Sequence, residues 1–255
     1  MLDKRSPLPL HQQLKAAIEE RILSGEWLPG AQVLSEREFC EEYAISRITV
    51  RQALTALVME GRLVRAQGRG TFVALPRIEQ QLTQLTGFTP DMQARGKRPS
   101  ARVLEAGSVA ALPTVARALQ IAVGESVIML KRLRLADGEP VAIETAYLLE
   151  SRCRGILKET LATRSLYDIL TRKYQLKPAR ARQQMEAIAC PAAEAKLLGT
   201  RRGAPVLHIH RTTYDRAGRP FELVESFYRG DRYTFHAELQ ADGLAGDAIQ
   251  PGEKT

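Results

Sequence analysis

The sequence predicts an α+β chain in two parts: three helices closed by a small β-hairpin, then a larger domain built on an antiparallel sheet. Three observations carry this expectation. Residues 10–60 place apolar side chains at helical spacing, interrupted by short polar turns. Directly after them, two short apolar runs flank Gly68-Arg69-Gly70, a hairpin pattern. Beyond residue 100, alternating β-branched runs recur with turn formers between them and a few short helical segments. With 255 residues, 44% apolar and 26% charged, the chain can fill two compact cores. The expected division is a head over 1–75, a linker over 76–80, a second domain over 81–243 and a disordered tail over 244–255.

Leu10, Leu14, Ile18 and Ile22 recur every four residues and line one face of a first helix. Ser24-Gly25-Glu26-Trp27-Leu28-Pro29-Gly30 ends it with turn formers. Ser35-Glu36-Arg37-Glu38 is a capping box, in which the serine hydroxyl takes an orphan N–H and Glu38 reaches back. Ala44-Ile45-Ser46 makes a tight turn, and Ser46 caps a further helix from Arg47. In that helix Val50, Ala53, Leu54 and Leu57 share an inward face, leaving Arg47, Ile48, Arg51, Gln52 and Thr55 outward. Two short helices joined by three residues make a helix-turn-helix. Arginine and glutamine near a helix N-terminus suit the major groove, because their side chains match guanine and adenine bidentately. Leu63–Gln67 and Thr71–Ala74 then read as the strands of a wing with Arg69 at its tip.

Charge follows the same geography. The net charge is +8, from 37 basic and 29 acidic residues, and residues 47–69 hold five arginines against the single acid Glu60. Positive charge placed in this way fits a surface that meets phosphates. Each piece also has an ordinary reading, as a common helix cap, a solvated arginine face or a plain turn; their order within forty residues favours the DNA-reading one. The three cysteines, Cys40, Cys153 and Cys190, have neither metal-ligand spacing nor a disulfide pattern. No signal-peptide or membrane-spanning run is found, so a reducing cytoplasm and no membrane are expected.

In the second domain, strands are expected at Glu125–Leu135, Val141–Leu149, Gln183–Cys190, Pro205–Tyr214, Glu222–Arg229 and Tyr233–Glu238, with helices at Ser165–Tyr174 and Ala192–Leu198. Asp137-Gly138 turns the first pair into a hairpin. Arg132 and Arg134 are two apart on one strand, so both project from the same face and offer two planar forks to one anion. With a three-residue loop, Glu144 stands opposite Arg132, to pair with it or to accept a ligand hydroxyl. A solvated strand face with a cross-strand ion pair accounts for the same residues. His208 and His210 share one strand face, but no nearby carboxylate or cysteine pattern accompanies them. They read as polar or internally satisfied histidines, and no metal, cofactor or nucleophile–base set is expected. Asp231 and Arg229 read as stabilising the turn before the last strand.

Leu34-Ser-Glu-Arg-Glu, Ile45-Ser-Arg-Ile-Thr-Val-Arg-Gln-Ala-Leu and Glu60-Gly-Arg-Leu-Val-Arg-Ala-Gln-Gly-Arg-Gly-Thr-Phe-Val together resemble the GntR superfamily of bacterial transcription regulators. The resemblance makes Ser35, Arg37, Ser46, Arg47, Thr49, Arg51 and Gln52 operator contacts, with Gln67, Gly68 and Arg69 added by the wing. Leu34 stands where the family usually has proline, which removes some pre-organisation and no contact. Phe88-Thr-Pro-Asp-Met-Gln-Ala-Arg-Gly, Arg132-Leu-Arg-Leu-Ala-Asp-Gly-Glu-Pro-Val-Ala-Ile-Glu, Ser165-Leu-Tyr-Asp-Ile-Leu and Glu225-Ser-Phe-Tyr-Arg-Gly-Asp-Arg-Tyr resemble the effector domain (UTRA) of its HutC-type branch, similar in fold to chorismate lyase.

By that resemblance, Arg132, Arg134, Ser165 and Tyr167 bind a phosphate, helped by main-chain groups around Phe88 and Thr89, while Glu144 and Tyr228 face a sugar. The implied protein is a homodimeric repressor of a palindromic double-stranded operator, released by a small anionic effector. N-acetylglucosamine 6-phosphate or glucosamine 6-phosphate leads, with urocanate or another sugar phosphate as the alternative. Lyase-like activity in the second domain is a remote one, since fold likeness alone carries little.

Overall fold

The structure, a computed structural model, describes residues 2–66 and 68–239. The expected tail over 244–255 and the wing residue Gln67 lie outside them. Two compact units divide between Arg77 and Ile78.

The first unit opens with α1 (Leu10–Leu23), which buries Leu14 and Ile18 and leaves Leu10 and Ile22 half-buried. Its end is held by Trp27, edge-on to Phe39 at 6.0 Å and covered by the Arg21 guanidinium at 3.9 Å. α2 (Glu36–Tyr43) starts at the capping box: Ser35 Oγ accepts from the Glu38 N–H at 3.3 Å, and Glu38 accepts from the Ser35 N–H at 2.7 Å. It stops because Ala44 turns into the left-handed region at φ 50°. Ser46 then accepts from the Thr49 N–H and opens α3 (Arg47–Met59). Val50, Ala53, Leu54 and Leu57 of α3 pack on α1, Phe39 and Leu63, each large apolar group contributing about 1.5–3 kcal/mol. β1 (Leu63–Ala66) and β2 (Gly70–Val73) form the antiparallel wing. The Ala31–Val33 stretch adds to it, through Val73 N–H to Ala31 O at 2.8 Å and Val33 N–H to Thr71 O at 2.9 Å. This third edge has no signature in the sequence.

The second unit begins earlier than the sequence analysis expects. Part of the assigned linker is strand: β3 (Ile78–Gln81) alternates buried Ile78 and Gln80 with exposed neighbours. The chain continues through α4 (Phe88–Ala94), β4 (Pro99–Ala110), α5 (Pro113–Leu119), β5 (Ser126–Ala136) and β6 (Glu139–Leu149). Two short 3₁₀ turns lead to α6 (Leu166–Tyr174), β7 (Arg180–Ala189), α7 (Ala192–Leu198), β8 (Pro205–Tyr214), β9 (Pro220–Arg229) and β10 (Tyr233–His236). Six strands form one antiparallel sheet in the order β4-β5-β6-β9-β8-β7, while β3 and β10 pair in parallel apart from it.

The β5–β6 hairpin departs from the expected three-residue loop. Asp137 and Gly138 alone make the turn, both at positive φ (53° and 85°), and a bulge follows opposite Arg134 and Leu135. The extra bulge residue restores the register of a longer loop, so Arg132 does stand opposite Glu144.

Register then writes the sheet's two faces. On one, cross-strand rows run Arg134–Ala142–Tyr228–Leu207, Arg132–Glu144–Ser226–Ile209, Leu130–Ala146–Val224–Arg211 and Ile128–Leu148–Glu222–Thr213. α6 covers one part of this face, over Leu130, Ala146 and Leu148. α4, β3 and β10 cover another, over Ala142, Ile209 and Tyr228. α5 and α7 close the opposite face. The polar rows are thereby enclosed between two apolar clusters.

Candidate effector cavity and DNA-reading face

The reading face is α3 with its partners. Arg47 and Arg51 are exposed and converge on one carboxylate: Glu36 of α2 accepts from Arg47 Nε at 3.1 Å and from Arg51 Nε and Nη2 at 3.2 and 3.0 Å. Hydrogen bonds from Arg51 and Arg47 hold the Glu36 carboxyl below the usual carboxylate range, and the same pairing raises Arg51. Gln52 and Thr55 are exposed beside them, and Arg65 of the wing reaches Thr55 Oγ1 at 3.0 Å. Ser46 and Thr49 bond each other at 2.9 Å, and Arg37 pairs with Glu41 at 2.9 Å.

At the wing tip Gln32 Nε2 donates to Arg69 O at 3.2 Å. Gly70 sits at φ 113°, a backbone conformation that strains any residue with a side chain, and a Cβ there would also push the Gln32 amide aside. Glu36 and Gln32 are the residues sequence reasoning missed here. Glu36 lay inside a motif already recognised, but its partners are set by the packing of α2 against α3.

The cavity lies on the polar rows of the sheet and is narrow, with about 40 Å³ of free volume. All eight residues expected at the effector site line it: Phe88, Thr89, Arg132, Arg134, Glu144, Ser165, Tyr167 and Tyr228. Arg132 and Arg134 are buried, at 2% and 4% exposure, as befits side chains at the bottom of a pocket. Arg132 pairs with Glu144, and Arg134 stacks over the Phe88 ring at 4.2 Å with Nη2 3.4 Å from Thr89 Oγ1. Among the described residues, each has a buried Nε with no partner. Burial pushes Arg134 down to about 10, which leaves it cationic at neutral pH. Burial works to raise Glu144, but Arg132 and Arg134 together hold it below the usual carboxylate range. Ser165 caps α6, accepting from the Asp168 N–H at 3.4 Å, so its hydroxyl marks the positive end of that helix dipole.

Two expectations are adjusted by the geometry. Tyr167 lines the cavity, but its hydroxyl donates to Glu222 at 2.8 Å and lies 3.2 Å from Thr213. It is thus engaged within the protein, and burial beside Glu222 raises its pKa well above the ordinary value. The histidines do have a carboxylate neighbour, since β9 brings Glu225 to 2.8 Å from His208 Nε2. Arg229 does brace the turn, bonding Asp231 at 2.7 Å and the main-chain oxygens of Pro140 and Leu198.

The cavity also takes in Gln80, Arg211, Glu222 and Ser226, which the sequence analysis left unassigned. Counting back in twos from Tyr228 reaches Ser226 and Glu222, so strand alternation was the signal available. Arg211 adds a third guanidinium. Burial raises Glu222 even though Tyr167 and Thr213 donate to it. Three arginines against two carboxylates, one of them biased toward its neutral form, leave the enclosed site short of negative charge. A largely buried site with that imbalance is suited to an anion.

Sequence comparison matches residues 10–73 to the bacterial regulatory proteins of the gntR family and residues 94–234 to the UTRA domain. The chain is 42% identical to the HTH-type transcriptional repressor NagR of Bacillus subtilis (strain 168), covering 92% of this chain and 96% of that one. It is 30% identical to the probable fructoselysine utilization operon transcriptional repressor of Escherichia coli (strain K12), covering 88% and 93%. Among solved structures, PhnF from Mycobacterium smegmatis aligns with a TM-score of 0.64 at 30% identity, over 91% of this chain and all of that one (100%).

Proposed function

This chain belongs to the GntR family of bacterial regulatory proteins, as a winged helix-turn-helix joined to a UTRA domain, and on that premise we propose that it represses transcription as a homodimer on a palindromic operator and lets go when a phosphorylated sugar enters its cavity. DNA binding and transcriptional regulation come with the family. Repression and a sugar-derived effector are supported by the relatives named NagR repressor and fructoselysine repressor.

The observation that carries the effector reading is the pair of buried guanidiniums, Arg132 and Arg134, in a cavity that has more positive than negative charge. A phosphate supplies several acceptors and balances that charge, with Ser165 at the head of α6 as an added donor. Glu144, Ser226, Gln80 and Tyr228 line the same cavity and suit hydroxyl and amide groups of a sugar. Glucosamine 6-phosphate and N-acetylglucosamine 6-phosphate lead the panel.

On the DNA side, Arg47, Arg51 and Gln52 read base edges, Ser35, Arg37, Ser46 and Thr49 grip backbone, and the wing residues Gln67, Gly68 and Arg69 reach the adjacent groove. A two-fold dimer then reads two half-sites.

The test is the thermal midpoint of the purified chain against sugar phosphates, the corresponding free sugars, inorganic phosphate and urocanate. A ligand of the folded state raises the midpoint with concentration. We expect the shift with an amino-sugar phosphate, its absence with the free sugar, and its loss in Arg132→Ala while operator binding persists. A full shift in Arg132→Ala moves the ligand elsewhere, and a shift with urocanate alone replaces the sugar-phosphate reading.

A further inference from the structure

Behind the cavity, on the opposite face of the same strands, His208 and His210 of β8 and Glu225 of β9 gather at one point. The three donor atoms lie within 4.8 Å of one another. His208 Nε2 is 2.8 Å and His210 Nε2 4.0 Å from the same oxygen, Glu225 Oε1. The arrangement is stiff. His208 stacks flat on Phe227 at 4.5 Å, and His210 stands edge-on to His208 at 4.4 Å. Strand register sets the rest, since His210 is directly opposite Glu225 and the two histidines are same-face neighbours.

A hydrogen bond between His208 and Glu225 explains one of these contacts and leaves the other imidazole nitrogen at 4.0 Å, too far to share it. A bound cation explains all three. Zinc sits about 2.0–2.2 Å from nitrogen and carboxylate ligands, which places ligand atoms about 3.3 Å apart around a tetrahedral centre. The two spacings to Glu225, 2.8 and 4.0 Å, straddle that value, and all three ligand atoms stay within 4.8 Å of one another. Lys131, in the same cross-strand row, pairs with Glu194 at 3.7 Å.

We propose that His208, His210 and Glu225 form a site for a divalent transition cation of the zinc class, with water completing the coordination. Two imidazoles and a carboxylate favour zinc, iron, cobalt or nickel over magnesium or calcium. Half-exposed His210 leaves the approach open. The position also gives the site a consequence. Ile209, between the two histidines, and Val224 and Ser226, either side of Glu225, line the effector cavity from the other face. A cation pinning β8 to β9 therefore stiffens that cavity's floor. The metal site does not depend on what the cavity binds.

The experiment is titration of the reduced full-length chain with cobalt(II) and, in competition with a chromophoric chelator, with zinc(II). We expect one equivalent per chain, visible d–d bands without a thiolate charge-transfer band, and weakening of more than about 100-fold in His210→Gln and in Glu225→Gln. His210→Gln alters an exposed side chain and Glu225→Gln keeps an acceptor for His208, and an unchanged thermal midpoint of the metal-free chain checks that both variants fold. A thiolate band assigns the metal to cysteine and overturns the proposal. So does wild-type affinity retained in both variants, or no binding above the chelator's competition.

Discussion

Glu222 stands at the residue scale as the cavity's costly carboxylate. It is buried, accepts from Tyr167 and Thr213 on a single oxygen, and burial raises its pKa above the usual 4.5. A group whose folded pKa is raised adds stability while protonated, and that contribution is lost as pH rises through the folded value. Glu222→Gln stays neutral and keeps an oxygen to accept both hydroxyls. The variant should therefore gain on the wild type as pH climbs from the carboxylate range toward neutrality, seen as a rising difference between their thermal midpoints. A flat difference, or one falling with pH, means that Arg211 and the hydroxyl donors already compensate the charge. An anionic effector adds repulsion at Glu222, so the same comparison with ligand bound should carry the rise to higher pH before it levels off.

At the scale of elements, α2 and α3 are joined by more than their turn. Glu36 belongs to α2, yet its carboxylate gathers Arg47 and Arg51 of α3. Exposed ion pairs contribute little to stability, so the value of this one lies in holding two long side chains ready. Glu36→Gln removes that clamp and one negative charge from a surface meant for DNA. Affinity for a random duplex should rise and the operator-to-random ratio should fall about 5- to 50-fold, read by fluorescence anisotropy at one fixed salt concentration. An unchanged ratio removes Glu36 from the readout.

Elements also show where the sequence could be read. α2 and α3 were legible because Ser35 and Ser46 carry cap chemistry that acts within three residues. The cavity's arginines were legible because strand alternation is local. β4 was not, since Gly107 and its charged and small residues fit an edge strand exposed on much of its length. α4 and α5 are seven residues each, too short for periodicity to declare itself. The Glu36 clamp, the Tyr167–Glu222 contact and the His–His–Glu cluster were silent for a different reason. Each joins residues from separate elements, and their meeting depends on packing or on a register such as the bulged β5–β6 hairpin sets.

For the whole molecule, the reading head and the cavity lie in separate units, so the proposed release of DNA must be carried by an equilibrium between states rather than by contact between ligands. Linkage then requires the effect to run both ways: if an effector weakens the operator by some factor, the operator weakens the effector by that same factor. Couplings of this kind amount to about 5–150-fold. Titrating an amino-sugar phosphate into the free protein and into the protein saturated with operator gives one factor. Titrating operator with and without effector gives the other. We expect the two to agree, and both to collapse to unity in Arg132→Ala, whose reading head is untouched. Two factors of one in the wild-type chain mean that the units do not communicate. Agreement that fails, with the DNA factor growing as the protein is diluted, points to subunit dissociation as the step that the effector drives. The sign of regulation then follows from mass action, because a monomer offers the palindrome only one reading head and loses the affinity gained by binding both half-sites together.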